Sequence, residues 1–518
     1  MKVRILKIAS LVLILTALAL AQDVASFEKR VTVKKLANGL TLIICERPEA
    51  PVFSFYTLVD AGSAQDPMRA TGMAHMFEHM AFKGTDKIGT TDYAAEKPAL
   101  EKVEVTYAAY LRERDKTVGQ DKAKLQQLEK AWKDATTEAD KYVVPNEFGK
   151  IIEQNGGEDM NASTNYDMTE YHYSLPENRL ELWAYLESER FLHPVMREFY
   201  KERNVVIEER RMRTDSNPFG RLLEQFTTEA FAAHPYHRPT IGWISDLNHF
   251  SATDAQNFFD TYYVPSNMVV AVAGDIKPAQ AIPILEKYFG RLPAHSYPDE
   301  TTTTEPPQNS ERRVVLKETS QPIYIEGYHR PDYHSKDDAV FDALSDLLSE
   351  GRTSRLYRSL VRDKKIASFC EGLTGYPGFK YPHLFAFIAV PLPGHKPDEM
   401  ADAIHAEIDR LKKEDITDDE LKMIKTRSKA NLIRGLADNQ GLATQLAIYQ
   451  TRYDDWRELF RSVDRIDNVT KADIRRIANE VFKDTNRTVG IIENSRGGGG
   501  SQGGEQSSGG SADQGGAQ

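Results

Sequence analysis

Two histidines and a glutamate crowd one short stretch, His75-Met76-Phe77-Glu78-His79. On a helix, residues at i and i+4 project from one face, so both imidazoles reach a single cation. Glu78 follows His75 by three residues and lies near that face, placed to take a proton from a metal-activated water. Catalytic zinc asks for this set: neutral imidazole nitrogens, an open position for water and a carboxylate base. The order is H-x-x-E-H, the reverse of the commoner H-E-x-x-H. The plain alternative is a helix with two partly exposed histidines and a solvated glutamate. Catalytic zinc usually takes three protein ligands, so one more must come from elsewhere. The helical segment Tyr200 to Arg211 offers Glu202 and Glu209, two turns apart on one face, with Glu208 next to the second. The competing reading pairs these acids with Arg203, Arg210 and Arg211 on a solvated charged face.

The elements that must carry these residues occur in two copies. Leu247 to Asp254 and Ile466 to Asp473 correspond at a constant offset of 219, which also pairs Phe258 with Ile477, Tyr263 with Phe482, Asn267 with Asn486 and Val270 with Val489. Each copy reads as a capped helix, a turn at the asparagine and an alternating strand. Nearer the front, Pro51 and Pro322 pair at an offset of 271, so the first copy holds about 52 residues more than the second. A charged stretch at about 92–144 accounts for them. Its Leu100, Val103, Tyr107, Leu111 and then Leu125, Leu128, Trp132 suit two amphipathic helices joined around Lys116 to Asp121. Such a hairpin is either a solvated addition to the surface or an arm that covers the site or contacts a partner.

Composition bounds the setting. Lys2, Arg4 and Lys7 precede an apolar run from Ile8 to Leu20 that ends Ala19-Leu20-Ala21, a secretory signal over residues 1–21. The run is short for a membrane span, and no later segment is apolar enough for one. Export to the periplasm or beyond is the expectation. Removing those three positive charges takes the formal charge from -11 to -14, which argues against nucleic acid or an anionic membrane as partner. Cys45 and Cys370 lie in different halves and read as two buried thiols. Residues 295–311 have linker composition, and the Gly/Ser/Gln tail at 496–518 is expected to be disordered. The division expected is 22–294, the linker, and a second domain at 312–495.

The chain resembles the M16 (pitrilysin/insulinase) zinc metallopeptidases, within them the M16B and mitochondrial-processing-peptidase-like group. The resemblance is carried by Leu36-Ala37-Asn38-Gly39-Leu40, Ala61-Gly62-Ser63, Gly72, the histidine motif running into Met80 to Thr85, and Gly156-Gly157. It continues through Asn161-Ala162-Ser163-Thr164, Glu202 to Glu209, His234-Pro235-Tyr236, Tyr263 to Asn267 and Val270 to Asp275. It implies an α+β protein of two homologous α/β sandwich domains of the LuxS-like type, each a mainly antiparallel sheet of about six strands covered by helices. It makes His75, His79 and Glu209 ligands of one Zn2+ and Glu78 the general base. Glu202 supports the histidine helix, and the family spacing prefers Glu209 to Glu208. Asn161 falls on a strand that holds extended substrate. His234 and His237, separated by a proline, match no catalytic element and read as loop. In the second half Arg362 matches a substrate-positioning arginine, whereas Ser368 and Phe369 stand where the family has a tyrosine. Either the chain is a slow enzyme, another tyrosine such as Tyr376 substitutes, or a partner subunit supplies the pair. The function implied is an exported zinc endopeptidase for short or unfolded peptides, working as a homodimer or with an M16 paralogue. The alternatives are a zinc-bearing subunit that needs such a paralogue, and a non-catalytic assembly subunit.

Overall fold

The computed structural model describes residues 27–495, so the signal and tail expectations lie outside the described residues. Two sheets organise the chain. The first runs β1(Val31–Lys35), β2(Thr41–Glu46), β3(Val52–Val59), β4(Glu158–Thr164), β5(Thr169–Pro176) and β6(Met268–Gly274), in the spatial order β1-β2-β6-β3-β5-β4. Only β2 and β6 pair in parallel. The second sheet holds β7(Arg312–Glu318), β8(Ile323–Arg330), β9(Ala367–Tyr376), β10(His383–Pro391) and β11(Arg487–Asn494), in the order β7-β11-β8-β10-β9. There β7 and β11 form the one parallel pair. The two orders superpose strand for strand once β1 is set aside. The second sheet therefore has five strands rather than six, because β1 has no counterpart.

The repeat reads through to atomic detail. Helices Ala252–Tyr262 and Lys471–Val481 have the same length and the same offset. Each opens on a capping box, Ser251 with Asp254 and Thr470 with Asp473, satisfying two orphan backbone donors reciprocally. Asn267 then donates to the Tyr262 carbonyl at 2.9 Å, and Asn486 to that of Val481 at 3.0 Å, closing each helix before its strand.

Helices cover the inner faces locally, but the outer faces are covered by exchange. Helix Asn439–Tyr453, from the second half, sets Leu442, Ala443, Leu446 and Ala447 against Ile43, Tyr56, Leu58 and Ala271 of the first sheet. Helix Pro218–Ala230, from the first half, sets Leu222, Phe226 and Ala230 against Ile325, Leu384 and Ile492 of the second. These helices occupy nearly equivalent places in the repeat, so each half lends the other the same piece. The connecting segment is pinned along the seam: Glu305 accepts from the backbone of Ala232, Ala233 and His234, and Tyr297 donates to Asp60 at 2.5 Å.

The expected hairpin is present as helices Tyr93–Arg114 and Lys122–Ala139. It packs against helix Phe199–Arg210, where Tyr107, Trp132 and Tyr200 form an aromatic cluster and Tyr200 donates to Glu104 at 2.5 Å. Its buried Glu96 receives Arg197 in a two-pronged bond at 2.8 and 2.9 Å. The same guanidinium donates to the carbonyls of Lys83, Thr85 and Ile88, tying down the loop that leaves the histidine helix. Cys45 and Cys370 are buried free thiols. No helix among the described residues is long and apolar enough to cross a membrane.

Candidate metal centre

The histidine motif forms helix Met73–Met80. It starts at Gly72, whose positive φ of 92° suits glycine and whose Cα lies too close to the Ile241 carbonyl for any side chain. Asp66 accepts from the backbone of Gly72 at 2.6 Å and Ala74 at 2.8 Å, filling the helix N-terminus. Met73, Met76, Phe77 and Met80 are buried in the core, which fixes the rotation of the helix and turns His75, Glu78 and His79 to the opposite side. Their ligand atoms lie within 4.8 Å of one another.

Helix Phe199–Arg210 brings the glutamates across. His75 Nε2 stands 3.7 Å from Glu209 Oε1, and His79 Nε2 stands 3.6 Å from Glu209 Oε2. Tetrahedral zinc with bonds of about 2.1 Å separates its ligands by about 3.4 Å, so these gaps are close to the edges of a coordination tetrahedron. Glu208 points elsewhere, bonded to Arg211 at 2.8 Å and largely exposed. Glu202 Oε1 takes His79 Nδ1 at 2.9 Å, and its other oxygen takes Lys83 at 2.5 Å. With Nδ1 so engaged, Nε2 is the nitrogen free for a cation, the arrangement by which a carboxylate orients a metal-binding imidazole.

Electrostatics favour a positive ion here. Burial, helped by the charges of His79 and Arg213, pulls His75 down to about 3, so its ring stands neutral and ready to ligate. Burial also depresses His79, but the Glu202 bond and the Glu78 and Glu209 charges outweigh it and raise the pKa. That same field accommodates a metal ion as readily as a proton. Burial would raise Glu202, yet bonds from His79 and Lys83 prevail and hold it low. Burial pushes Glu78 up against the hydrogen bond from Thr164. Its Oε2, like His75 Nδ1, is buried without a protein partner.

The remaining sequence candidates divide. Asn161 lies on β4, the open edge of the first sheet, and is exposed. Strand alternation turns Thr164 towards Glu78 and sends the Asn161 side chain to the other face, opposite His172. Arg362 is exposed and bonded to its neighbour Asp363 at 2.7 Å, with no hydrogen bond or ion pair to the histidine cluster among the described residues. Phe369 is 45% exposed on β9, the edge of the second sheet. Tyr376 does not serve as a substitute donor, because its hydroxyl is 2.7 Å from Thr227 Oγ1 and its ring packs in the seam near Phe226. His234 is more than loop: it is buried between Tyr236 and Tyr381, leading a short 3-10 turn. Sequence reasoning passed over Lys83 and Arg213. Arg213 follows its partner Glu209 by four residues, and that spacing was the available signal; Lys83 reaches Glu202 on another helix, which no local spacing reveals.

Comparison with known proteins gives the family. The model for the insulinase family, peptidase family M16, matches residues 42–133 and 135–243, and that for the peptidase M16 inactive domain matches 249–428. The chain belongs to the M16 peptidase family. It is 29% identical to a protein of Helicobacter pylori named zinc protease PqqE, over 95% of this chain and 98% of that one. It is 22% identical to a probable mitochondrial-processing peptidase subunit beta of Arabidopsis thaliana, over 90% and 78% of the two. Among solved structures, a protease from Helicobacter pylori superposes with a TM-score of 0.74 at 29% identity, covering 89% of this chain and 99% of the other. The first half of the periplasmic protease PqqL from Escherichia coli gives 0.64 at 18% identity, over 90% and 92%. At that identity the likeness speaks for the fold, two M16-type domains in one chain.

Proposed function

We propose that the protein is an exported zinc endopeptidase that hydrolyses short or unfolded peptides. The observation that carries this is the convergence of His75 Nε2, His79 Nε2 and the Glu209 carboxylate beside the unpartnered Glu78 oxygen. Zinc, held by those three side chains, would supply a Lewis acid that polarises the scissile carbonyl and acidifies water. Glu78 takes the proton of the attacking water and delivers it to the leaving amine; its upward-shifted carboxyl suits both directions of transfer. Glu202 keeps His79 in the required tautomer, and Lys83 keeps Glu202 in place. The open edge of β4 offers backbone donors and acceptors to an extended peptide, as an added strand. The relatives' names as zinc proteases support the same reading.

The purified chain should hold about one zinc. Glu209→Ala should release it, and Glu78→Gln should keep it while peptide cleavage falls by roughly three orders of magnitude or more. Full zinc in Glu209→Ala, or near-normal turnover in Glu78→Gln, would sink the reading. A zinc-bearing subunit completed by a paralogous partner is the second reading, favoured by Arg362 and Phe369, both exposed in the second half. It predicts that cleavage appears only when a paralogue is added. Export rests on residues 1–21 and predicts a mature chain starting at Gln22.

A further inference from the structure

The glutamate helix does not stop cleanly after its last ligand. Beyond Arg210 it widens into a π turn over Arg211–Asp215, a form found disproportionately at functional sites. That turn places Arg213 Nη1 2.6 Å from Glu209 Oε1, the oxygen that faces His75. The backbone beneath is held tightly. A side chain at Gly220 would overlap the Arg213 carbonyl, and Arg221 donates to the carbonyl of Asp215. The guanidinium itself is open: Arg213 is 71% exposed, against 15% for Glu209. Lys83, the other cation at the cluster, is taken up by Glu198 and Glu202.

An exposed i,i+4 ion pair on an ordinary helix face contributes only ~0.3–0.5 kcal/mol and asks for no further account. This pair is different in place. It sits at the rim of the histidine cluster, on the same Glu209 oxygen that stands 3.7 Å from His75 Nε2. A guanidinium has five N–H donors, so one bond to Glu209 leaves others free. Peptide hydrolysis builds negative charge on the scissile carbonyl oxygen, where a fixed cationic donor is most effective.

We propose that Arg213 is a catalytic residue: Nη1 stays on Glu209 while its free N–H groups bind the carbonyl oxygen of the scissile peptide. As water adds to the carbonyl carbon, the pair of π electrons moves to that oxygen and is held by the guanidinium. It returns to re-form C=O when the C–N bond breaks, and Arg213 loses no proton. This rests on the zinc endopeptidase reading.

The test uses the full-length exported chain loaded with zinc, with three readouts: metal content, binding of an uncleaved peptide in a Glu78→Gln background, and affinity for a peptide phosphonate that mimics the tetrahedral oxyanion. Arg213→Ala should keep its zinc and bind the uncleaved peptide within about threefold, yet lose on the order of 100-fold in kcat and in phosphonate affinity. Arg213→Lys should recover part of both, and Gly220→Ala, which displaces the turn, should lose in the same direction. Unchanged kcat and phosphonate affinity in zinc-loaded Arg213→Ala would overturn the proposal. So would a loss that saturating zinc fully restores, since Arg213 would then only hold Glu209. A wild-type chain that takes up no zinc would refute the underlying reading instead, whatever Arg213 does.

Discussion

At the scale of single residues, the site is a set of carboxylates sorted by what each one touches. Glu209 faces both histidines, Glu202 holds the back of one of them, Glu208 faces solvent, and Glu78 keeps a bare oxygen. Removing Glu202 therefore tests orientation separately from ligation. In Glu202→Gln the amide is a poorer partner for His79 Nδ1, and Lys83 is left with only its longer contact to Glu198 at 3.7 Å. Zinc affinity, read by competition with a chelator, should fall about 10- to 100-fold without a change in stoichiometry at saturation. Affinity equal to wild type would leave the Glu202–His79 bond with no part in metal binding. The histidines and Glu78 were legible from spacing alone, because i and i+4 on a helix need no tertiary knowledge. The choice of Glu209 over Glu208 was not, and came from the family resemblance. Adjacent helix residues point about 100° apart, and only the crossing of two helices decides which one meets the histidines.

At the scale of elements, the sequence carried the local punctuation and missed the long-range pairing. The capping boxes at Ser251 and Thr470 and the asparagine turns at Asn267 and Asn486 are local signals, and the repeat was found through them. The two amphipathic insertion helices were legible for the same reason. Their docking on the glutamate helix was not, since an apolar stripe states that a face is buried without naming its neighbour. The exchanged helices show this most fully. Leu446 lies fully buried against the first sheet although it belongs to the second half. Leu446→Ala should cost ~2–5 kcal/mol in chemical denaturation. A loss below ~1 kcal/mol would mean that helix Asn439–Tyr453 contributes little to the first sheet.

At the scale of the whole molecule, the seam between halves should be sensitive to acid. His234 is 2% exposed, and its Nδ1 accepts the Tyr236 backbone N–H, so the ring must be neutral there. Burial depresses its pKa from an ordinary 6.5 to about 4, opposed only in part by Glu305. The unfolded chain binds the proton first as pH falls. The stabilisation is thus complete above about pH 6.5 and is lost progressively down to about pH 4, on the order of 3 kcal/mol at most. Thermal melts should show that decline, and His234→Gln should flatten it in proportion. An identical pH slope in the variant would place the acid sensitivity elsewhere. The seam also bears on independence. Residues 22–294 expressed alone should expose the bare face of Ile43, Tyr56, Leu58 and Ala271 and aggregate. Co-expression with the remainder should restore a soluble pair, and a soluble, well-folded first half on its own would contradict this.

The exchange of helices also sets a clock. A ribosome or a secretion channel delivers the chain from its amino end, so the histidines, both site glutamates and every strand of the first sheet emerge before the helix that covers its outer face. Cover for that face waits for Tyr453, and the second sheet waits longer, for β11. On the proposed peptidase reading, a chain made in this order has its reactive groups present early and its architecture late. On that reading, nascent neighbours and its own unfolded carboxyl half would meet a finished site only after that helix has docked.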